Sequence, residues 1–193
     1  MFFRKRLAQV SDEELMRKVQ SGNEAALTEI YQRYSVALLR YFTRMLWQDA
    51  ELAQDFLQDL FLKVLDNPSR FDSSRNFSTW IFSCAHNMCK NEYRNRTNRE
   101  SAVIPIERQN HTDLHKLIDE RDFKDRLDLL LETLDEESKT LFLLRYEQEL
   151  ELTKISAILA IPIGTIKSRL FYLRKGLSQE LNEYKIILKE GML

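Results

Sequence analysis

The chain has 193 residues, enough for one medium domain or two small ones, and a formal net charge of −1. It contains only four glycines and three prolines, far below the roughly 12% of average proteins, which argues against a turn-rich sheet protein and favours an all-α fold. So few glycines also argue against a loop that binds nucleotide phosphates, and the sequence has no nucleophile elbow or catalytic carboxylate pair. We therefore expect that the protein is not an enzyme and has no small-molecule substrate or cofactor.

The uncharged stretches are short, and residues 157–166 are typical of the longest. All fall well short of the ~20 apolar residues that span a membrane. The start, Met1–Arg6, is charged but is not followed by the apolar core of a secretory signal. Two cysteines without such a signal indicate reduced thiols. We therefore expect a cytoplasmic protein that does not insert into membranes.

The first half of the chain predicts four helices. Ser11–Glu14 forms a capping box that opens a short helix, and a long helix follows with apolar residues at three- and four-residue spacing. A third helix begins near Asp49 and ends at Asp66, with apolar rows that include Leu57, Phe61 and Leu65. The polar loop Asp72–Asn76 then leads into a fourth helix from Ser78 to about Arg96.

The sequence between the helix-rich halves is a candidate linker. It contains Pro105 and mixed polar residues. We predict a helical domain over residues 1–97, a flexible linker over 98–125 and a second helical domain over 126–193. The second domain has a helix around 128–133 and another after Asp135.

The last domain ends in a pattern typical of a helix-turn-helix. Thr153 is placed to cap a short helix that ends near Leu159, and Ala160-Ile161-Pro162 forms a tight turn, with Pro162 in the first turn of the next helix. That helix carries no acidic residue from Pro162 to Gln179. Aromatic residues on a helix usually indicate core packing, but this turn and these basic flanks favour DNA binding for the exposed face.

Charge alternates in blocks along the chain. Residues 48–59 carry four acidic residues and no basic one, whereas residues 162–176 carry four basic residues and no acidic one. This arrangement suits a protein with one basic partner and one polyanionic partner.

Four stretches resemble the sigma-70 superfamily, in particular its two-domain extracytoplasmic-function (ECF) group. They occur in the family's order. The first three stretches are residues 25–34, 55–64 and 77–82, and the fourth consists of residues 141–146 followed by 163–170. The resemblance implies a region 2 helical bundle and a region 4 helix-turn-helix. It implies a protein that binds core RNA polymerase and directs it to promoter DNA by reading and melting the −10 element and binding the −35 element. It also implies an anti-sigma factor as a partner, and a linker that resembles, by position, the segment threading the polymerase RNA channel.

The resemblance assigns three sets of site residues. The third helix corresponds to the surface that docks on core polymerase, with Asp55, Gln58, Asp59 and Leu62 on one face; without the family, an ordinary solvated face is the simpler interpretation. The loop and fourth helix correspond to the surface that reads the −10 element. A flipped base there needs an aromatic or apolar side chain to stack on, an amide to bond to, and basic residues to hold the DNA backbone. The matching residues are Phe71, Asn76, Asn87, Lys90 and Arg94. The −35 reader corresponds to Thr165, Lys167, Ser168, Arg169, Phe171 and Arg174.

Two positions depart from the family. The turn before the second helix of the helix-turn-helix often holds glycine but is Ala160 here, and Gln148–Glu151 replaces a commoner glycine-containing turn. Trp80 is expected chiefly to pack the fourth helix on the second, and only secondarily to act in strand separation.

Other functions are weighed against this one. Cys84 and Cys89 are about 140° apart around a helix, so with His86 they do not converge on a metal, and His111 and His115 have no third ligand. A stand-alone helix-turn-helix regulator leaves the acidic third helix unexplained. An interaction module that only mimics a sigma factor predicts no promoter-dependent transcript.

Overall fold

A computed structural model describes residues 7–100 and 120–184. These residues form eight α-helices and no strand, which confirms the predicted all-α class. The helices are α1 (Asp12–Gln20), α2 (Glu24–Met45), α3 (Ala50–Asp66), α4 (Phe77–Glu100), α5 (Glu120–Thr133), α6 (Glu136–Phe142), α7 (Leu152–Leu159) and α8 (Ile163–Glu180). Short 3₁₀ turns cover Pro68–Arg70 and Asn182–Tyr184, and a π-helical segment covers Leu143–Glu147.

Side-chain caps fix where the helices begin. Ser11, Asn23, Asp49 and Asp135 each accept a hydrogen bond from the backbone N–H three residues on, at 2.9–3.2 Å. Each bond satisfies a donor that the helix itself leaves unpaired. The predicted starts of the first and third helices are therefore correct.

Two predicted details of the helix-turn-helix are wrong. Helix α7 begins at Leu152, so Thr153 lies inside the helix rather than at its cap. Helix α8 begins at Ile163, and Pro162 precedes it as the N-cap residue with an extended ψ of 144°. Proline fixes φ near the helical value, so it still directs the chain into α8.

The chain divides into two compact units. The first comprises Met1–Cys89 with Thr153–Ile161, and the second comprises Lys90–Leu152 with Pro162–Leu193. Helix α4 ends at Glu100 and α5 begins at Glu120, so helix enters both ends of the predicted linker 98–125, the rest of which lies outside the described residues. The domain boundaries 1–97 and 126–193 stay a prediction.

The core of the first unit is formed by the apolar faces of α1 to α4. Helix α2 packs against both α1 and α3. Edge-to-face aromatic pairs join the helices, with ring centroids 5.9 Å apart for Tyr41–Phe82 and 5.7 Å apart for Phe42–Phe56. Burial of such large side chains is the main stabilising contribution in a small bundle.

A buried ion pair lies in the core of the second unit. Lys139 of α6 has a side chain only 3% exposed, and its Nζ lies 2.9 Å from Glu132 Oε1 of α5. The same unit contains buried apolar residues, among them Leu131, Leu141, Leu144 and Leu170. A buried ammonium needs such a partner, so α5 and α6 depend on this contact.

Among the described residues, four that are not glycine adopt a left-handed backbone: Trp47, Gln48, Glu149 and Ala160. Glu149 with φ 52° and Ala160 with φ 55° lie in the turns before and after α7. The Ala160 turn is also held locally, because Ser156 Oγ donates to Ile161 O at 2.6 Å. A side chain in this conformation costs about 1–2 kcal/mol relative to glycine.

Ala160→Gly is therefore expected to raise the free energy of unfolding by about 0.5–1 kcal/mol, since relief of strain exceeds the added entropy of the unfolded chain. Ala157→Gly, at an exposed position inside α7, is the matched control and should lower it by about 0.5–1 kcal/mol. Urea denaturation followed by circular dichroism measures both changes. Equal losses in the two variants would contradict the strain at Ala160.

Candidate nucleic-acid and polymerase interfaces

The exposed face of α3 carries the four residues predicted to dock on polymerase. Asp55, Gln58 and Asp59 are exposed, and Leu62 is 53% exposed. Within the described residues none of the four forms a hydrogen bond or ion pair. The opposite face is buried through Ala53, Leu57, Leu60, Phe61 and Val64. The helix thus packs against the core through one face and exposes an unpaired acidic face on the other side.

Leu65 extends this face and was misplaced by the sequence pattern. It was predicted to lie in a packed row, but it is 50% exposed and stands one turn beyond Leu62. The α3 face therefore ends in two exposed leucines. The apolar periodicity of the helix does not indicate that the last residue of this row is exposed to solvent.

The loop between α3 and α4 is organised by Asp72. Its Oδ1 accepts from Ser74 N at 3.0 Å and from Ser74 Oγ at 2.7 Å, which forms an Asx turn. The backbone hydrogen bond from Ser74, followed by the bond from its hydroxyl, lowers the pKa of Asp72 below its usual value. Asp72 is therefore ionised and shapes the loop.

Phe71, the predicted stacking wall for a flipped base, lies in the core. It is 2% exposed, and its ring centroid lies 5.2 Å from the rings of both Phe77 and Trp80. At this exposure a DNA base has no access to the ring without displacing a neighbour. Trp80, itself partly buried, contacts Phe71 and Phe77, which flank the loop. Its packing against the second helix stays a prediction.

Asn76 and Asn87 have different surroundings. Asn76 Oδ1 accepts from Thr79 N and Thr79 Oγ1, both at 3.0 Å, so it caps α4 and retains only its amide N–H groups as donors. Asn87 is exposed nearly three turns along α4. Lys90 and Arg94 are exposed on the same helix. The predicted −10 residues thus comprise an exposed row on α4, one capping residue and one buried ring.

Helix α1 holds both ends of this loop. Gln20 Nε2 donates to Pro68 O at 3.0 Å and to Phe71 O at 2.9 Å. Glu13 Oε1 accepts from Phe77 N at 3.0 Å. These contacts join residues 48 to 64 positions apart in the chain, and no sequence pattern signalled them.

The exposed face of α8 carries two aromatic residues that contact each other. Phe171 is 63% exposed and Tyr172 is 69% exposed, with ring centroids 5.4 Å apart. The buried face is formed by Ile166, Leu170 and Leu177. Exposed aromatic rings of this size mark an interaction surface, because burying them in the core would have been favourable.

Basic and polar residues surround this aromatic pair. Lys167 and Arg174 are exposed, and Arg169 pairs with Glu137 of α6. Ser168 Oγ donates to Thr165 O at 2.9 Å, which leaves its oxygen as an acceptor. Gly164 has open space around it, since a Cβ there would meet nothing within 4 Å. Packing among residues 7–100 and 120–184 therefore does not explain this glycine.

No single helix among residues 7–100 and 120–184 is long and apolar enough to cross a membrane; α7 and α8 reach the required length and hydropathy only as a pair, bent by 104° between them.

Two protein-family models match the chain, Sigma-70 region 2 over residues 30–99 and Sigma-70, region 4 over residues 124–175. RNA polymerase sigma-H factor of Pseudomonas aeruginosa is 28% identical over 186 residues, which cover 91% of this chain and 96% of that protein. ECF RNA polymerase sigma factor SigW of Bacillus subtilis is 27% identical over 188 residues, 87% of this chain and 95% of that protein.

Two solved structures share the fold. CnrH in complex with the cytosolic domain of CnrY has a TM-score of 0.68 at 23% identity and covers 89% of this chain and 97% of that chain. The sigma factor RpoE in complex with the anti-sigma factor NepR from Bartonella quintana has a TM-score of 0.61 at 25% identity, covering 80% and 97%. With both family models in the expected order and relatives matched almost end to end, the chain belongs to the extracytoplasmic-function group of sigma-70 RNA polymerase sigma factors.

Proposed function

We propose that this chain directs core RNA polymerase to promoters through three surfaces: the α3 face, the loop with α4, and the exposed face of α8. The observation that carries this proposal is that one chain presents an unpaired acidic face on α3 and a basic, aromatic face on α8. A surface of each kind fits a different partner. We assign it no catalytic role and place it in the cytoplasm, where its polymerase partner works.

The α3 face binds core polymerase. Asp55 and Asp59 supply charge, Gln58 supplies an amide, and Leu62 with Leu65 supplies an apolar end. Carboxylates that lack an internal partner are solvated, so pairing with basic residues of a partner disrupts no internal contact. Such a face suits a basic helical surface on the polymerase.

The loop and α4 bind the melted −10 strand. Asn87 offers both a donor and an acceptor to a splayed base, and Lys90 with Arg94 neutralises the strand's phosphates along the same helix. Phe71 is buried, so we assign it a role in supporting the loop by packing in the core beside it. Asn76 contributes through its amide N–H groups, since its oxygen caps α4.

Helix α8 binds the −35 duplex. Lys167, Ser168 and Phe171 face base edges, where a donor, an acceptor and an apolar ring can discriminate bases in the major groove. Arg169 and Arg174 contact phosphates, and Gly164 lets the backbone approach closely. The ion pair with Glu137 holds Arg169 at the edge of this face.

An anti-sigma factor is a further proposed partner. The structural neighbours CnrH and RpoE are each in complex with a second protein, which for RpoE is an anti-sigma factor. We propose that an anti-sigma factor covers surfaces of this chain that polymerase needs.

A stand-alone DNA-binding regulator is the second candidate. It accounts for α8 but not for the unpaired face of α3. Incubation of the tagged full-length chain with bacterial core RNA polymerase separates the two: co-purification of the core subunits supports the sigma function, whereas duplex binding without core association contradicts it.

Lys167→Ala is expected to weaken binding of a −35 duplex by about tenfold, with a loss that shrinks when the −35 base sequence is changed, because a base contact contributes about 1–3 kcal/mol of discrimination. Fluorescence anisotropy with the holoenzyme measures this. Lys124→Ala, an exposed lysine on α5, should bind normally. If the Lys167→Ala loss is the same on every −35 sequence, Lys167 contacts phosphate and does not read bases.

A further inference from the structure

Helix α1 makes three hydrogen bonds to the segment that flanks the loop Asp72–Asn76. Gln20 donates both amide hydrogens to this segment, one to Pro68 O at 3.0 Å and one to Phe71 O at 2.9 Å. Glu13 accepts from Phe77 N, the first residue of α4, at 3.0 Å. One helix therefore fixes the backbone immediately before and immediately after the loop.

Two of these bonds act on backbone groups that need a partner, whereas Pro68 O also accepts from Phe71 N at 3.3 Å. The carbonyl of Phe71 precedes the loop, and the N–H of Phe77 is one of the donors that a helix start does not pair. Asn76 caps α4 through the Thr79 N–H, so Glu13 adds a second, separate cap. Side chains from a distant part of the sequence thus hold both ends, in addition to the cap that the loop residue Asn76 supplies.

Helix α1 is itself anchored to α2. Arg33 donates to Asp12 Oδ1 at 2.7 Å, to Glu29 Oε1 at 3.0 Å and to the carbonyl oxygens of Leu7, Ala8 and Val10. Tyr34 Oη donates to the second oxygen of Asp12. Burial, followed by this hydrogen bond, raises the pKa of Tyr34 far above its usual value, so the hydroxyl remains a donor. The helix that holds the loop is a fixed support.

We propose that Gln20 and Glu13 are positioning residues for −10 recognition: they hold the loop Asp72–Asn76 in the shape that receives single-stranded promoter DNA. This inference rests on the proposed −10 site. Neither residue touches DNA. Their contribution is entropic, because a loop already in its bound shape loses less conformational freedom when the strand binds.

The test uses holoenzyme assembled from core polymerase and the full chain. Its probe is a fluorescent 12-nucleotide non-template strand, taken from a promoter that the wild-type holoenzyme selects from a randomised library. Gln20→Met keeps the side-chain length but removes both donors, and Glu13→Ala removes the acceptor. Glu13→Gln keeps an acceptor oxygen and serves as the rescue. Gln32→Ala, an exposed glutamine on α2, is the matched control.

Gln20→Met and Glu13→Ala are expected to weaken binding of the selected strand by about fivefold to tenfold, the value of one or two net hydrogen bonds. Binding of a scrambled strand should change by less than about twofold, and core association and −35 duplex binding should not change. Glu13→Gln and Gln32→Ala should bind like the wild type. Loss of discrimination between the two strands is a result that simple destabilisation does not produce.

Asn87→Ala distinguishes this inference from the site on which it rests. If Asn87→Ala weakens strand binding while Gln20→Met and Glu13→Ala bind normally, the positioning role is overturned and the −10 site stands. If the wild type binds the strand but Asn87→Ala has no effect, the −10 assignment of Asn87 fails. Equal loss on selected and scrambled strands, or no rescue by Glu13→Gln, would also overturn the positioning role.

Discussion

Asp59→Lys is expected to weaken association with core RNA polymerase by about thirtyfold, or about 2 kcal/mol. Asp59 lies in the middle of the exposed face of α3 and has no ion-pair partner among the described residues. Reversing its charge replaces attraction to a basic partner by repulsion. Titration of labelled variant with core polymerase, followed by fluorescence anisotropy, measures the change.

The size and the salt dependence of the effect identify its cause. Asp59→Asn should lose less affinity for core polymerase than Asp59→Lys. Both losses of affinity should decrease as the salt concentration is raised, because salt screens exposed charges. Asp125→Lys, the same charge change at an exposed position of α5, is the control and should bind normally. An unchanged affinity for Asp59→Lys, or an equal loss for Asp125→Lys, would refute the α3 docking face.

Glu132→Ala is expected to lower the free energy of unfolding by about 3 kcal/mol. It leaves the ammonium of Lys139, whose side chain is 3% exposed, without its partner at 2.9 Å. Urea denaturation followed by circular dichroism measures this loss. Both tryptophans, Trp47 and Trp80, lie in the first unit, so a shift in circular dichroism without a matching shift in tryptophan fluorescence locates the loss in the second unit.

Replacing Lys139 should lower the free energy of unfolding less than replacing Glu132. In Lys139→Met the buried ammonium is replaced by an apolar chain of similar length, and Glu132, whose side chain is 26% exposed, can be solvated by water. We expect a loss below about 1 kcal/mol. Similar losses in Lys139→Met and Glu132→Ala would show that the pair does not stabilise the unit by compensating a buried charge.

The helices were predictable because their signals are local. Ser11 and Asp49 cap the helices whose starts they were predicted to mark. Apolar spacing identified most of the buried face of α3, since side chains three and four residues apart share a helix face. Leu65 escaped this rule because a periodic row does not reveal where the neighbouring helix stops covering it.

The candidate site was less predictable because it depends on contacts between distant residues. The family resemblance assigns Phe71 as a stacking wall for a base but gives no sign that its ring lies against Phe77 and Trp80. Gln20 and Glu13 were not noticed at all, because nothing in a short helix indicates that it bonds to a loop 48 or more residues away. Propensity and periodicity carry no information on such contacts.

The turn at Ala160 is an intermediate case. The family pattern identified it as a departure from glycine, and the structure gives the physical consequence, a left-handed φ of 55° on a residue with a side chain. Glu149 at φ 52° is a second example in the turn that was also noted. The assignment of α8 to the −35 element is independent of these details and stays a prediction.

Transcription reconstituted from core polymerase and the full-length chain tests the central claim most directly. A linear template library with randomised upstream sequence is transcribed, and the 5′ ends of the transcripts are sequenced. The account predicts that transcripts start at defined sites that share two upstream elements, with the downstream element altered by Asn87→Ala and the upstream element by Lys167→Ala. Transcripts no different from those of core polymerase alone would contradict it.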